Sequence, residues 1–171
     1  MVKLLNGRGQ LGKKLKEKFN EYNTDDDVSI YHTWKVPHLY DPGESEEEIQ
    51  KQEYNKLVKF SKLNPQTKII FISTNSNRGT YYTYYKELAE AYLLLNHKNC
   101  VILKFPVFVG NGILKKLSKG DIEPYGIMEV ITLEKVVNTI ENFIELNDLK
   151  RIYTISGEKI EAKTIVEILK I

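Results

Sequence analysis

The segment TKIIFIST (67–74) sets apolar residues at consecutive positions rather than alternate ones. A strand with one wet face alternates polar and apolar side chains. An unbroken apolar run belongs to a strand covered on both faces, the usual situation in a parallel sheet. Its surroundings carry a different period. DPGESEEEIQKQEYNKLVKFSKL (41–63) precedes it and reads as a helix, with Ser45 and Glu48 spaced for a capping box and glutamates where the helix dipole favours anions. Its apolar Ile49, Leu57, Val58 and Phe60 fall on one side. YYTYYKELAEAYLLL (81–95) follows as a second helix, then the strand CVILKFPVFVG (100–110).

The same alternation extends in both directions. VKLLN (2–6) is a short strand, and QLGKKLKEKFNEY (10–22) places Leu11, Leu15, Phe19 and Tyr22 at helical spacing. VSIYH (28–32) is the next strand. After Gly112 the stretch 113–126 reads as loop with about one helical turn, using the 3.6-residue period as the measure. TLEKVVNTIENFIEL (132–146) is a helix, KRIYTISG (150–157) a strand and KTIVEILKI (163–171) a closing helix. Strands and helices in this order predict an α/β fold: a shortened Rossmann-like, doubly wound parallel sheet with helices on both faces and right-handed crossovers. Ligands of such sheets gather outside the carboxyl ends of the strands. Here those ends are NGRGQLG, YHTW, STNSN and FPVFVGNG.

Gly7, Gly9 and Gly12 give G-x-G-x-x-G directly between a strand and a helix. Small residues there let the backbone approach a pyrophosphate, and the helix N-terminus supplies amides and positive potential. The plainer alternative is a tight turn that needs glycine anyway. The loop's usual partner is an acidic residue at the end of the second strand, which holds a ribose. Asp25, Asp26 and Asp27 instead precede the next strand, so the adenosine pocket is incomplete or built differently. Arg8 can meet a 2′-phosphate, favouring NADP, or simply be solvated.

In TYYTYYKELAEAY (80–92) only Tyr82 stands four residues before Lys86, on the same helical face. An ammonium beside a phenol lowers the phenol's pKa toward working pH, as proton-transfer chemistry wants. Upstream, Ser73 and Thr74 end a buried strand and offer hydroxyls to a substrate oxygen. The remaining tyrosines, Tyr81, Tyr84, Tyr85 and Tyr92, read as packing or dimer contacts.

With these motifs in place, the sequence resembles the extended short-chain dehydrogenase/reductase family, in particular its dTDP-4-dehydrorhamnose reductase branch and related nucleotide-sugar epimerases and dehydratases. LLNGRGQLGKKL is similar to the family's first strand, glycine loop and helix; FISTNSN to its strand ending in Ser-Thr; YYTYYKELAE to its Y-x-x-x-K helix with a following glutamate; and VILKFPVFVGNG to its next strand and substrate-side loop. The likeness runs through most of 1–112 and more faintly through 129–171. It implies a dinucleotide-binding core at 1–112 and a reduced C-terminal part, 113–171, that completes the sheet and the substrate side. It implies Thr74, Tyr82 and Lys86 as the catalytic trio, with Tyr82 the acid/base, Thr74 the substrate hydrogen-bonder and Lys86 the pKa tuner and ribose anchor. NADP or NAD would rest on Gly7, Arg8, Gly9, Gln10, Leu11, Gly12 and Lys86. Substrate contacts would come from Ser73, Asn75, Lys104 and Pro106. The implied activity is that of a compact NAD(P)-dependent reductase or epimerase-like enzyme on a nucleotide-linked or other sugar. The alternative is an inactive Rossmann-like binding or regulatory module. A homodimer through the helices containing Asn55 and Tyr82 is also implied.

The sequence departs from the family in several places. The family is nearly twice this length. VSIYHTW resembles its fourth strand, so a β-α-β-α segment carrying the adenosine-binding acid is missing. Asn6 stands at the first glycine of the family's loop, and Lys104 at a position that is usually arginine.

A net charge of +2 argues against a nucleic-acid binder, and no apolar run approaches a membrane span. The single cysteine, Cys100, reads as a small buried hydrophobe and fits a reducing cytoplasm. His32, His38 and His97 lack the spacing of a zinc site and read as surface or pocket-lining residues, so no metal is expected.

Overall fold

The computed structural model describes residues 1–5, 9–22, 24, 26–109, 112–147 and 150–169. Its centre is a five-stranded, wholly parallel sheet. The strands are β1 (Val2–Leu4), β2 (Val28–Tyr31), β3 (Lys68–Thr74), β4 (Cys100–Phe105) and β7 (Ile152–Thr154), in that spatial order. Helices α1 (Gln10–Phe19) and α5 (Leu133–Ile144) pack together on one face, and α2 (Glu46–Leu63) and α3 (Tyr81–Asn96) on the other. The pleat of β3 serves both layers: Ile70 and Ile72 join Leu15, Phe19, Val136 and Ile140, while Ile69 and Phe71 join Leu57, Tyr85, Ala89 and Leu93. This is the two-sided cover that the apolar run at 67–74 predicts.

The crossovers depart from expectation. The steps β1 to β2 and β2 to β3 move in the same direction along the sheet, yet α1 and α2 lie on opposite faces. Two parallel crossovers so arranged have opposite hands, so they cannot both obey the right-handed rule. The consequence is a crevice between β1 and β2 at their carboxyl ends, where the following helices diverge.

The C-terminal third is richer than its sequence pattern. Pro106 is buried and splits the expected strand 100–110 into β4 and β5 (Val107–Phe108). β5 leaves the main sheet for a second, three-stranded one with β6 (Ile127–Ile131) and β8 (Glu158–Glu161). The predicted loop after Gly112 contains α4 (Ile113–Lys119), which packs with α6 (Ala162–Leu169) over β6 through Leu117, Val130 and Ile165.

Buried polar side chains staple the layers. His97, read as surface or pocket-lining, is only 3% exposed and sits in the interior. Its Nε2 donates to the Thr67 carbonyl at 2.8 Å, and its Nδ1 accepts from Ser61 Oγ at 2.8 Å. Lys68 Nζ donates to the Ile144 and Leu146 carbonyls at the end of α5 (2.9 and 2.7 Å), and the Arg151 guanidinium caps α3 through Leu93, Leu94 and His97. Both place cations at helix C-termini, where the dipole favours them. Cys100 is buried as expected and accepts from Arg151 at 2.8 Å. No helix among the described residues is long and apolar enough to cross a membrane.

Candidate active site at the carboxyl edge

The crevice begins at the start of α1. Gly9 is its N-cap, with extended backbone, no capping side chain and no acid in the first turn. The amides of Gln10, Leu11 and Gly12 therefore open the helix without a side-chain acceptor, the arrangement that suits an anion. A Cβ at Gly9 would meet nothing within 4 Å, so the approach is open there. Asn6, Gly7, Arg8 and Asp25 lie outside the described residues.

α3 presents the second wall. Thr80 caps it in a full capping box with Thr83, a signal that the tyrosine-rich reading of this stretch passed over. Lys86 is 4% exposed. Its Nζ donates to the Ile72 carbonyl at 2.7 Å and lies 4.5 Å from the Trp34 ring centre, 4.6 Å from that of Phe71 and 5.9 Å from that of Tyr82. The ammonium is thus engaged with main chain and aromatic faces. Burial lowers its pKa to about 7, against the opposing pull of Glu90 and Glu53. The half-buried Tyr82 does not show the expected lowering. Desolvation, and then the neighbouring Tyr40, push its phenol above the ordinary value. A lysine that is itself desolvated offers little charge with which to stabilise a phenolate.

Thr74 ends β3, half-buried, its Oγ1 accepting from the Ser76 amide at 3.1 Å. Ser73 turns inward and donates to Glu90 Oε1 at 2.5 Å. Lys104, its register partner on β4, donates to Glu90 Oε2 at 2.9 Å. Asn75 bonds Glu129 through Nδ2 (3.3 Å) and the Phe105 carbonyl through its amide (3.0 Å). Pro106 sits against the loop at Gly157. The structure therefore brings Thr74, Tyr82 and Lys86 to one end of β3 and α3, and gives Ser73, Lys104 and Asn75 protein partners.

The strap between β2 and α2 brings His32, read as surface or pocket-lining, and Trp34 to the site, and its buried anchors Gln50 and Glu53 are what sequence reasoning missed. His32 Nε2 donates to the Leu5 carbonyl at 3.0 Å, across the β1–β2 crevice. Trp34 covers Lys86, and its Nε1 donates to Gln50 Oε1 at 2.6 Å. Gln50 Nε2 donates to the Lys35 carbonyl (2.7 Å) and Tyr40 Oη (2.6 Å). Glu53, also buried, accepts from the Lys35 amide at 3.3 Å and from Lys56. A polar residue on a helix otherwise reads as solvated, so nothing in the sequence marks Gln50 and Glu53 as buried anchors. Among the described residues no three His, Cys, Asp or Glu converge as a metal site.

These groups set a pH dependence. Folded Lys86 keeps its proton only to about pH 7, whereas an ordinary lysine keeps it to 10.5. Across that window the unfolded chain holds the extra proton, so stability rises with pH. Lys68, lowered by burial, acts in the same sense. His32 and His38, also lowered by burial, cost stability as pH falls through 6.5. Tyr82, raised from 10.0, reverses the trend above that value, because the unfolded phenol ionises first. Urea melts are expected to show stability climbing from about pH 6 to about pH 9.5 and falling beyond about pH 10. Lys86→Met should flatten the climb; a variant that keeps the full climb would contradict the buried, proton-poor amine.

The arrangement is a Rossmann-like α/β fold with its crevice at the strand ends. Solved structures that share it include dTDP-4-dehydrorhamnose reductase from Bacillus anthracis strain Ames in complex with NADP, at 16% identity and a TM-score of 0.74, covering 99% of this chain and 81% of that one. UDP-N-acetylglucosamine 4-epimerase from Bacillus cereus aligns at 13% identity and a TM-score of 0.68, over 97% of this chain and 82% of that one. WbmG from Bordetella bronchiseptica, in complex with NAD, aligns at 12% identity and a TM-score of 0.63 over 94% of this chain. The chain spans 59% of the length of WbmG. The sequence matches no family model and no curated protein.

Proposed function

We propose that the chain is a compact NAD(P)-dependent reductase or epimerase-like enzyme of the extended short-chain dehydrogenase/reductase kind, acting on a nucleotide-linked or other sugar. The observation that carries this reading is that Tyr82 and Lys86 share one face of α3, with Lys86 bonded to the Ile72 carbonyl two residues before Thr74 ends β3, at the end of the sheet that the uncapped α1 also enters. The residues fit one half of a nicotinamide dinucleotide. The amides of Gln10, Leu11 and Gly12 suit its pyrophosphate, and Lys86 would hold the nicotinamide ribose only once the Trp34 indole, its ring centre 4.5 Å from the ammonium, gave way. For the adenosine half, β1 pairs only with β2 among the described residues, leaving no further strand to carry a ribose-binding acid. The bound group would supply a hydride donor or acceptor. Tyr82 delivers a proton to the substrate oxygen, Thr74 hydrogen-bonds that oxygen, and the segment after residue 112 forms the substrate side. Tyr82 is protonated near neutrality, the state that carbonyl reduction starts from, while its raised pKa makes it a weaker proton donor than a lowered one would be.

A second reading, an inactive binding or regulatory module, draws on a specific observation: His32 and Trp34 lie across the crevice, with the indole over Lys86. Titration with NADH and NADPH, followed by nicotinamide fluorescence, separates the two. The enzyme reading expects saturable binding below millimolar for one of them, and loss of turnover, with binding retained, in Tyr82→Phe. Absence of binding to both leaves the module; turnover that survives Tyr82→Phe removes the acid/base role.

A further inference from the structure

Two polar links, one helical turn apart, tie α3 to consecutive residues of β3. Lys86 Nζ reaches the Ile72 carbonyl, and Glu90 Oε1 receives the Ser73 hydroxyl. The other oxygen of Glu90 is taken by Lys104 from β4, directly opposite Ser73 in the register. Ser73, Lys86 and Glu90 are all buried, at 5%, 4% and 6% exposure. Residues four apart on a helix share a face, so the carboxylate follows the ammonium into the same interior strip. A buried charge without a counter-charge is costly, and the carboxylate here is held in place from two sides.

We infer that Glu90, clamped between Ser73 and Lys104, is a positioning residue for Lys86: its fixed buried charge keeps the lysine ammonium in place beneath Tyr82. The inference rests on the proposed site for its functional meaning, but its physical content concerns Lys86 alone. Ser73 and Lys104 then serve the site by holding Glu90 rather than by touching substrate. The groups that face Lys86 are few. Glu53 approaches from α2, His32 from the end of β2, and Tyr82 and Glu90 from α3 itself. Tyr40 of the strap bears on Tyr82, Lys104 enters through Glu90, and Lys16 of α1 faces His32. Among the described residues, Glu90 and Glu53 are the two that favour the charged amine. Both carboxylates are also bonded elsewhere, Glu53 to Lys56 and the Lys35 amide and Glu90 to Ser73 and Lys104, and what distinguishes Glu90 is its place four residues on, on the lysine's own helical face.

The test is a titration of the intact chain labelled with 13C-lysine, with the Lys86 resonance assigned by its loss in Lys86→Met. Glu90→Gln keeps the shape and removes the charge. It is expected to move the Lys86 midpoint down by about one pH unit, the lower end of what an opposite charge nearby contributes. Glu90→Asp retains the charge and should hold most of the midpoint; Ser73→Ala, which loosens the clamp but keeps the charge, should move it less than Glu90→Gln does. A Glu90→Gln midpoint equal to that of the parent overturns the inference. So do equal shifts in the Gln and Asp variants, which would trace the effect to packing. Should Glu90→Gln fail to fold, a full-unit drop in Glu90→Asp overturns it as well, and a midpoint held near the parent's supports it. None of these readouts depends on cofactor binding, so failure of the enzyme reading leaves them intact.

Discussion

Gly157→Ala is expected to destabilise the chain by about 3 kcal/mol, at the upper end of what overpacking costs. A Cβ built at Gly157 falls 2.2 Å from the Val130 carbonyl oxygen, 2.8 Å from its carbon and 2.9 Å from Pro106 Cγ. Two of these atoms are backbone within β6 and cannot swing aside as a flexible side chain would. The Gly157 amide also donates to Glu129 Oε1 at 2.7 Å, and Glu129 in turn binds Asn75 beyond β3. Displacing the loop between β7 and β8 therefore pulls on the contact between the two sheets. For a chain of this size the loss corresponds to a fall in melting temperature of roughly 6–12 °C. Gly9→Ala is the matched control, because its Cβ meets nothing within 4 Å and its φ of −72° is open to any residue. Gly9 is also the N-cap of α1, where alanine is a poorer residue than glycine, so the variant should lose no more than about 1 kcal/mol. Equal losses at the two positions in urea melts would mean that the close approach at Val130 is not what constrains residue 157.

That contrast bears on what the sequence could disclose. Strands such as β3 and β4 are legible because burial on both faces forces unbroken apolar runs, and α1, α3 and α5 because one face repeats every three to four residues. The second sheet leaves a weaker mark. β6 is half exposed along IMEVI and β8 is EKIE, so neither displays a run that stands out from loop. Gly157 reads as an ordinary strand end, since a close approach from sequence-distant Val130 leaves no local trace. The hand of the first crossover is invisible for a similar reason: the residues of α1 need one apolar face, and nothing in that face says which side of the sheet it covers. At the site, the spacing of Tyr82 and Lys86 is readable from helical geometry. The pKa directions are not, because Trp34, Phe71 and Glu53 reach Lys86 from other elements. Ser73 and Lys104 likewise read as ligand-facing until the register sets them opposite one another, with Glu90 between.

The strap supplies the other large effect. Gln50 is fully buried and uses its side-chain amide on three partners, Trp34 Nε1, the Lys35 carbonyl and Tyr40 Oη. Gln50→Leu keeps much of the volume but strips all three at once. One unsatisfied buried group typically costs about 1–3 kcal/mol, and partial rehydration as the strap loosens should hold the total to about 3 kcal/mol. Because Trp34 is the only tryptophan, its emission reports on the strap without labelling. In the parent the indole is nearly covered, packed on Phe71 at 5.7 Å between ring centres and over the Lys86 ammonium. Gln50→Leu is expected to shift its emission to longer wavelength under native conditions, before any global unfolding. Water reaching the indole also reaches Lys86, so the lysine midpoint should rise from about 7 toward 10.5 in the same variant. Gln50→Glu separates shape from bonding: its carboxylate can still accept from Trp34 but has no N–H for the Lys35 carbonyl, so the emission shift should be smaller. If Gln50→Leu leaves both the emission and the lysine midpoint where they were, the indole is held by packing on Phe71 alone. The strap would then be a fixed wall of the crevice, and any ligand of Lys86 would have to reach it from the α1 side.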